Sequence, residues 1–277
     1  MSEARDRLRE EDCAPVAEWG WLDEGAAADI GFAVAPIRAR KALEDALPAT
    51  DVIVQPLAHR QKRLLVADMD STMITVECID ELADYAGIKA EIAAVTEAAM
   101  RGELDFAAAL DARVALLEGL GEETIERCLA ERVAIMPGAR QLVATMRARG
   151  AYTVLVSGGF TRFAEPVGAR IGFDRVIANT LLIADGALTG AVAKPIVDAD
   201  TKLATLTEER GRLALSTQQT LAVGDGANDL PMIRAAGLGV AYRAKPVVAA
   251  AAGARIEHND LRALLWAQGI RRADWVD

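Results

Sequence analysis

Leu64-Leu65-Val66-Ala67-Asp68-Met69-Asp70-Ser71-Thr72 decides the fold. Four apolar residues in succession, bounded by turn formers, read as a strand buried on both faces, which is the mark of a parallel sheet. The strand runs directly into two aspartates. A second segment repeats the arrangement, with Leu221-Ala222-Val223 leading into Gly224-Asp225-Gly226-Ala227-Asn228-Asp229. In open parallel sheets ligands bind beyond the carboxyl ends of the strands, so both clusters fall where a site belongs. Aspartates after strands also serve as helix caps and turn formers, but two clusters this dense exceed that need. Two like charges about 4 Å apart repel by roughly 4 kcal/mol at an effective dielectric near 20. A cation would relieve this, and hard oxygen ligands favour magnesium.

Around these segments the chain reads as an α/β protein. Thr153-Val154-Leu155-Val156 is a further buried strand and ends in Ser157-Gly158-Gly159. Phe173–Ala178 and the segment from Gly237 to Ala241 read as strands. Leu181–Val192, with Asp185-Gly186 at its middle, reads as a hairpin. A helix is expected from about Lys202. Between the first two core strands, residues 77–137 show helical periodicity alone: Ile79, Leu82, Ala83 and Ala86, then Ala107, Leu110, Val114 and Leu117. That block reads as an inserted helical cap, closed by Met136-Pro137-Gly138 with the proline starting the next helix. Its hinges are expected near Thr75 and Pro137. The core then comprises 61–76 and 138–277. Residues 1–60 form a small α+β appendage: an apolar segment at Ile30–Ala35, a helix from Ile37 to Leu47 and a strand at Asp51–Pro56.

Composition narrows the function. The 277 residues are 52% hydrophobic but only 4% aromatic, and the net charge is −10. A nucleic-acid binder needs a basic footprint, so that class is excluded. An anionic substrate approaching so acidic a chain requires specific cationic groups. Cys13, Cys78 and Cys128 are odd in number and lack metal-site spacing, which suggests buried thiols in a cytoplasmic protein. The charged start has no apolar run behind it, so no secretory leader is expected. The alanine-rich 247–254 stretch is far below the roughly 20 residues of a membrane span.

Asp68 is the candidate nucleophile, since a carboxylate is already ionised at neutral pH and can attack phosphorus to split one hard step into two. Asp70, two residues on, suits general acid and then general base. Ser157, Gly158 and Gly159 offer a hydroxyl and closely approachable backbone N–H groups to a phosphate. Lys202 offers a compact positive charge. The glycines of the second cluster do not make a dinucleotide motif, because Asp229 stands where the last glycine belongs. His59 and His258 are the only histidines and sit in no cluster.

Together the ordered elements, Asp68 to Thr72, Ser157, Lys202 and Gly224 to Asp229, resemble the haloacid dehalogenase superfamily. The stretches Cys78 to Glu81, Ala99 to Phe106, Ser157 to Phe160 and Gly224 to Ile233 are similar to its phosphoserine phosphatase branch. The resemblance implies a Rossmann-like core and magnesium held by the Asp68 carboxylate, the Asp70 carbonyl and Asp225, with Asp229 nearby. It implies phosphate contacts from Ser157, Gly158 and Lys202, with Asn228 also reaching the substrate. It places Glu77 against a substrate ammonium, Arg113 against its carboxylate, and Met100 and Phe106 over the bound molecule. The expected reaction is hydrolysis of O-phospho-L-serine, the last step of serine synthesis. Phosphatases of other small phosphorylated compounds, phosphotransferases and an inactive amino acid sensor are the competing readings. About 60 residues before the core are too few for the complete ACT-like regulatory region carried by many bacterial relatives, so serine control is not expected.

Overall fold

The computed structural model describes residues 2–10, 13, 19–33, 36–101 and 103–277, with the side chains of Ser2 and Met100 outside that description. The chain opens with helix α1 (Ser2–Glu10), a short antiparallel hairpin of β1 (Gly20–Asp23) and β2 (Ala27–Asp29), and helix α2 (Pro36–Ala46). Leu8, Ala39, Leu43 and Val52 make a small separate core there. The helix lies where periodicity places it. The strand expected at Asp51–Pro56 does not form, and the expected segment at Ile30–Ala35 is not a strand over Ile30–Ala33, its last two residues lying outside the described residues.

The reason lies in what residues 51–60 bind. The Asp51 carboxylate accepts hydrogen bonds from the backbone N–H groups of Glu257 (2.7 Å), His258 (3.2 Å) and Asn259 (3.0 Å) and from Asn259 Nδ2 (2.8 Å). Gln55 Nε2 and Arg60 Nε both donate to the Ala267 carbonyl. Arg60 also forms a two-pronged pair with Asp29 at 2.5 and 2.6 Å. Side chains, not a backbone ladder, strap this segment to the carboxyl-terminal part of the core.

Strand β3 (Leu64–Ala67) follows, and then the four helices α3 (Cys78–Ala86), α4 (Lys89–Met100), α5 (Phe106–Ala115) and α6 (Glu122–Glu131). The chain resumes with α7 (Ala139–Ala148), β4 (Tyr152–Phe160), α8 (Thr161–Ile171), β5 (Arg175–Asn179) and the hairpin of β6 (Leu181–Ala184) and β7 (Ala187–Val192). It ends with α9 (Ala199–Arg212), β8 (Thr220–Gly224), α10 (Leu230–Ala235), β9 (Leu238–Tyr242), α11 (Pro246–Ala251), β10 (Ala254–Ile256) and α12 (Ala263–Ala267). Six strands pair in the order β10-β9-β8-β3-β4-β5, all parallel.

Period-two alternation divides the central strands between two cores. Leu65, Leu155, Leu221 and Val223 face one side, shared with α7, α8 and the four-helix insertion. Leu64, Val66, Val154 and Ala222 face the other, against Leu206 of α9 and Met232 of α10. The apolar runs are continuous because both faces are covered. Asp185 and Gly186 take positive φ values of 51° and 77° at the hairpin turn, as a two-residue turn of this hand requires. Pro137 does not start a helix. Gly138, at φ 85°, caps α7, and a Cβ there would meet Arg262 N at 2.7 Å.

The insertion is tied down along two seams. Its two connections to the core run antiparallel, with Thr75 N donating to Ala134 O (3.1 Å) and Met136 N to Met73 O (2.9 Å). On another side Gly119 N donates to Leu188 O (2.8 Å), Leu188 N to Leu120 O (2.9 Å) and Glu122 N to Gly186 O (2.9 Å). Among the described residues no helix is long and apolar enough to cross a membrane.

Asp51→Ala would leave four donors without their charged acceptor. Unfolding in urea is expected to lose about 2 kcal/mol with an unchanged slope, since bonds to a charged group contribute roughly 1.5–3 kcal/mol. Turnover per folded molecule should be unaltered; an unchanged midpoint would show that the strap contributes nothing.

Candidate active site

Strand β3 delivers Asp68 to the carboxyl edge of the sheet, and its N–H donates to Val223 O of β8 (3.0 Å). The chain then turns back on itself: the N–H groups of Met73 and Ile74 both donate to the Met69 carbonyl. Ser71 sits within this turn at φ 52°, a conformation that side chains other than glycine seldom adopt. The turn points Asp68 and Asp70 into one cleft and leaves only 5% of Asp68 exposed.

Lys202 arrives from the opposite direction. Asp198 caps α9 by accepting from Thr201 N (2.9 Å), and Lys202 follows in the first turns. Its Nζ is fully buried and lies 2.6 Å from Asp68 Oδ1 and 2.7 Å from Asp229 Oδ1. Burial works against the ammonium, but the two carboxylates outweigh it and push its pKa above the ordinary lysine value. Asp229 is held in turn by Gly226 N (2.9 Å). Gly224 and Gly226 are glycines because a Cβ at either would run into the side chain of Asp229 or Asn228.

Asp225 accepts from Thr72 Oγ1 at 3.3 Å. Asp68, Asp225 and Asp229 each offer a carboxylate oxygen within 4.8 Å of the others. Three carboxylates face one ammonium, leaving an excess of two negative charges in a buried place. Burial pushes Asp68 well above the ordinary carboxylate range, and repulsion from Asp229 adds to it while Lys202 opposes. Asp225 is pushed up to about 6, by burial first and then by Asp229. Hard oxygen donors with surplus charge suit a divalent cation, and Asp68 and Asp225, each engaged through one carboxylate oxygen, have the other to offer it, whereas both oxygens of Asp229 are engaged, by Lys202 and Gly226. The Asp70 side chain is turned away from this group. It accepts from Cys78 N (3.0 Å) and from Ser157 Oγ (3.3 Å), yet burial still raises its pKa.

Ser157 and Gly158 stand at a break in the β4–β5 register, between Val156 and Phe160. The break lifts the Ser157 hydroxyl toward Asp70 while Gly159 N donates back to that hydroxyl oxygen (2.9 Å). A Cβ at Gly159 would meet Asp70 Oδ2 at 2.7 Å, and one at Gly158 would meet the Phe106 ring at 3.3 Å. Phe106, 36% exposed, thus hangs from the insertion over the Ser157–Gly159 loop.

Two charged residues of the insertion lie within electrostatic reach of this group, Glu77 directly and Arg113 through Glu77. Glu77 caps α3 and accepts from Ser71 Oγ at 2.6 Å. Its surface reaches the cleft mouth, but enclosure by surrounding protein pushes its pKa up to about 7, with Asp70 and Asp225 adding repulsion. Arg113, half-buried in the last turn of α5, donates to Ala109 O (3.2 Å). Burial lowers its pKa, while Asp80 and Glu77 act to keep it charged. Asn228 is half-buried beside Asp229. Met100 closes α4, and its side chain lies outside the described residues.

Sequence reasoning missed three groups: Thr72 Oγ1 on Asp225, Ser71 on Glu77, and the Cys78 N–H on Asp70. Ser71 and Thr72 adjoin the aspartates, but nothing in the sequence gives their partners. Asn179, a buried amide at the end of β5, gave no signal at all.

Residues 65–234 match the model of the haloacid dehalogenase-like hydrolases. The chain is 46% identical over 226 residues to a phosphoserine phosphatase of Mycobacterium tuberculosis, covering 81% of this chain and 55% of that one. It therefore spans little more than half the length of that relative. With a phosphoserine phosphatase of Idiomarina loihiensis identity is 47% over 202 residues, covering 73% of this chain and 91% of the other. A solved phosphoserine phosphatase described as a phospho-aspartyl intermediate analogue superposes with a TM-score of 0.69 at 36% identity, over 74% of this chain and 98% of that one. The parallel sheet, the aspartates at its carboxyl edge and these matches lead to one family: the chain belongs to the haloacid dehalogenase-like hydrolases.

Proposed function

We propose that the protein hydrolyses O-phospho-L-serine to serine and phosphate, with magnesium as its metal. What carries this reading is Glu77, which is in electrostatic reach of Asp70 and Asp225, together with Arg113, which is in electrostatic reach of Glu77, beside the group of Asp68, Asp70, Ser157 and Lys202. Phosphoserine presents an ammonium and a carboxylate beyond its phosphate. It needs one counter-charge of each sign, and a guanidinium matches a carboxylate in two-pronged geometry. The relatives named above, at 46% and 47% identity, support the same substrate. A cytoplasmic setting is supported by three buried cysteines that remain thiols.

In this reading an Asp68 oxygen bonds to phosphorus as the bond from phosphorus to the serine oxygen breaks. Asp70 gives its proton to that departing oxygen, a role helped by the burial that raises its pKa. Asp70 then takes a proton from water, whose oxygen attacks phosphorus and frees Asp68 and inorganic phosphate. Lys202 holds Asp68 in line and spreads charge from the phosphoryl oxygens, while Ser157 and the N–H of Gly158 hold the phosphate. Bound at Asp68, Asp225 and the Asp70 carbonyl, magnesium would supply charge neutralisation for the phosphoryl oxygens. Phe106 shields the reacting atoms from bulk water.

A panel of phosphoserine, phosphothreonine, phosphohomoserine and 4-nitrophenyl phosphate, with and without magnesium, tests the reading. Phosphoserine should lead in kcat/KM by a wide margin and only with metal. Arg113→Ala should cost phosphoserine about 100-fold, the value of about 2.7 kcal/mol for a charged hydrogen-bonded pair, while 4-nitrophenyl phosphate changes little. Equal losses on both substrates would remove Arg113 from carboxylate recognition.

The raised Asp225 gives a pH dependence. Its folded pKa of about 6 lies above the roughly 4 of an unfolded aspartate, so between these values the metal-free fold binds the extra proton. Its stability contribution therefore falls as pH rises through that window. Magnesium needs the carboxylate, so the rise in Tm that it causes should be small near pH 5 and level off above about 7. A magnesium effect independent of pH would contradict this.

A further inference from the structure

We propose that Asn179 is a positioning residue that sets the proton-donating side of the site; the inference rests on the phosphomonoester hydrolysis proposed above. Its side chain is 2% exposed and lies at the end of β5, outside every charged contact of the cleft. Nδ2 donates to Gly158 O at 2.8 Å, and Oδ1 accepts from Val197 N at 2.7 Å; Nδ2 also lies 3.4 Å from Val197 O.

The first bond matters because of where it acts. The register break at β4 takes the Gly158 carbonyl out of regular strand pairing, and that carbonyl shares a peptide plane with Gly159 N–H. Fixing one end of the plane fixes the other. Gly159 N–H donates to Ser157 Oγ at 2.9 Å, and Ser157 Oγ donates to Asp70 Oδ2 at 3.3 Å. One chain of donors thus runs from the Asn179 amide through the peptide and the serine hydroxyl to the general acid. The second bond holds Val197, the residue before the Asp198 cap of α9, which carries Lys202. A single neutral amide therefore registers the acid side of the cleft against the lysine side, and it does so without adding charge to a place already over-negative.

A loss of proton donation has a signature that a general loosening lacks. A poor leaving oxygen requires the proton as its bond to phosphorus breaks, whereas a good one departs without it. In Asn179→Ala, kcat/KM for phenyl phosphate should fall about tenfold more than for 4-nitrophenyl phosphate, with both measured on the magnesium-loaded full chain. Asn179→Ser, which keeps one small polar group, should fall between Ala and the unaltered protein and serves if the alanine variant does not fold. Equal losses on the two esters, or no loss on either, would overturn the proposal. Both esters lack an amino acid moiety, so preference for a substrate other than phosphoserine would leave the comparison intact.

Discussion

The Lys202 ammonium, wedged at 2.6 and 2.7 Å between Asp68 and Asp229, is the contact on which the site depends. An ammonium with no exposed surface is tolerable only with counter-charges, and removing one partner of such a pair typically costs 3–5 kcal/mol. Asp68 directly follows β3, Asp229 lies in the loop between the adjacent β8 and α10, and the lysine comes from a helix packed on one face of the sheet. The pairing therefore couples the sheet, α9 and the loop after β8 into one unit. It also leaves the cluster short of positive charge. That shortage is what makes the same residues a fit for a divalent ion, whose charge would in turn offset that of an anionic group entering the cleft.

In the proposed reading, chemistry and recognition sit on different parts of the molecule. Asp68, Asp70, Ser157, Lys202 and Asp225 all belong to the sheet, to the loops that follow its strands or to α9, whereas Glu77, Phe106 and Arg113 belong to the four-helix insertion. The Ser71–Glu77 hydrogen bond and the Cys78 N–H on Asp70 join the two groups across the first connection. A change in the insertion thus reaches Asp70 before it reaches Asp68. The insertion is also bonded by backbone to the β6–β7 hairpin, so the seam at residues 73–75 and 134–136 is not its only attachment. Motion of the whole insertion about that seam would have to break the hairpin bonds as well.

Much of this was legible beforehand where a residue type has one dominant use. Leu64–Ala67 and Leu221–Val223 are short unbroken apolar runs, and both are fully buried central strands. Asp185-Gly186 announced its hairpin. Legibility failed where the outcome depends on a distant partner. Asp51–Gln55 has the short β-branched apolar run of a strand, but its side chains found acceptors and donors more than 200 residues away and no strand came alongside. Pro137 carried a helix-start signal that Gly138 took over, because α12 approaches so closely that only a glycine fits. Glu77 and Arg113, 36 positions apart, read as ordinary helix charges because nothing in the sequence shows that the fold brings them within electrostatic reach of each other.

Asn179 shows the sharper limit. Its neighbours in sequence, an apolar strand and a turn, are consistent with a bland strand end, and asparagine is common there. What distinguishes it is complete burial combined with full use of its amide, since an unpaired buried amide would cost about 1–3 kcal/mol. A charged side chain at that depth would have stabilised the Gly158 carbonyl or the Val197 N–H, never both, because one needs a donor and the other an acceptor. The carboxamide is the compact group that supplies each at a fixed separation. In a cleft where three carboxylates already exceed one ammonium, neutrality is part of that fitness. The charges perform the chemistry, and an uncharged group is what can hold them in register without disturbing their balance.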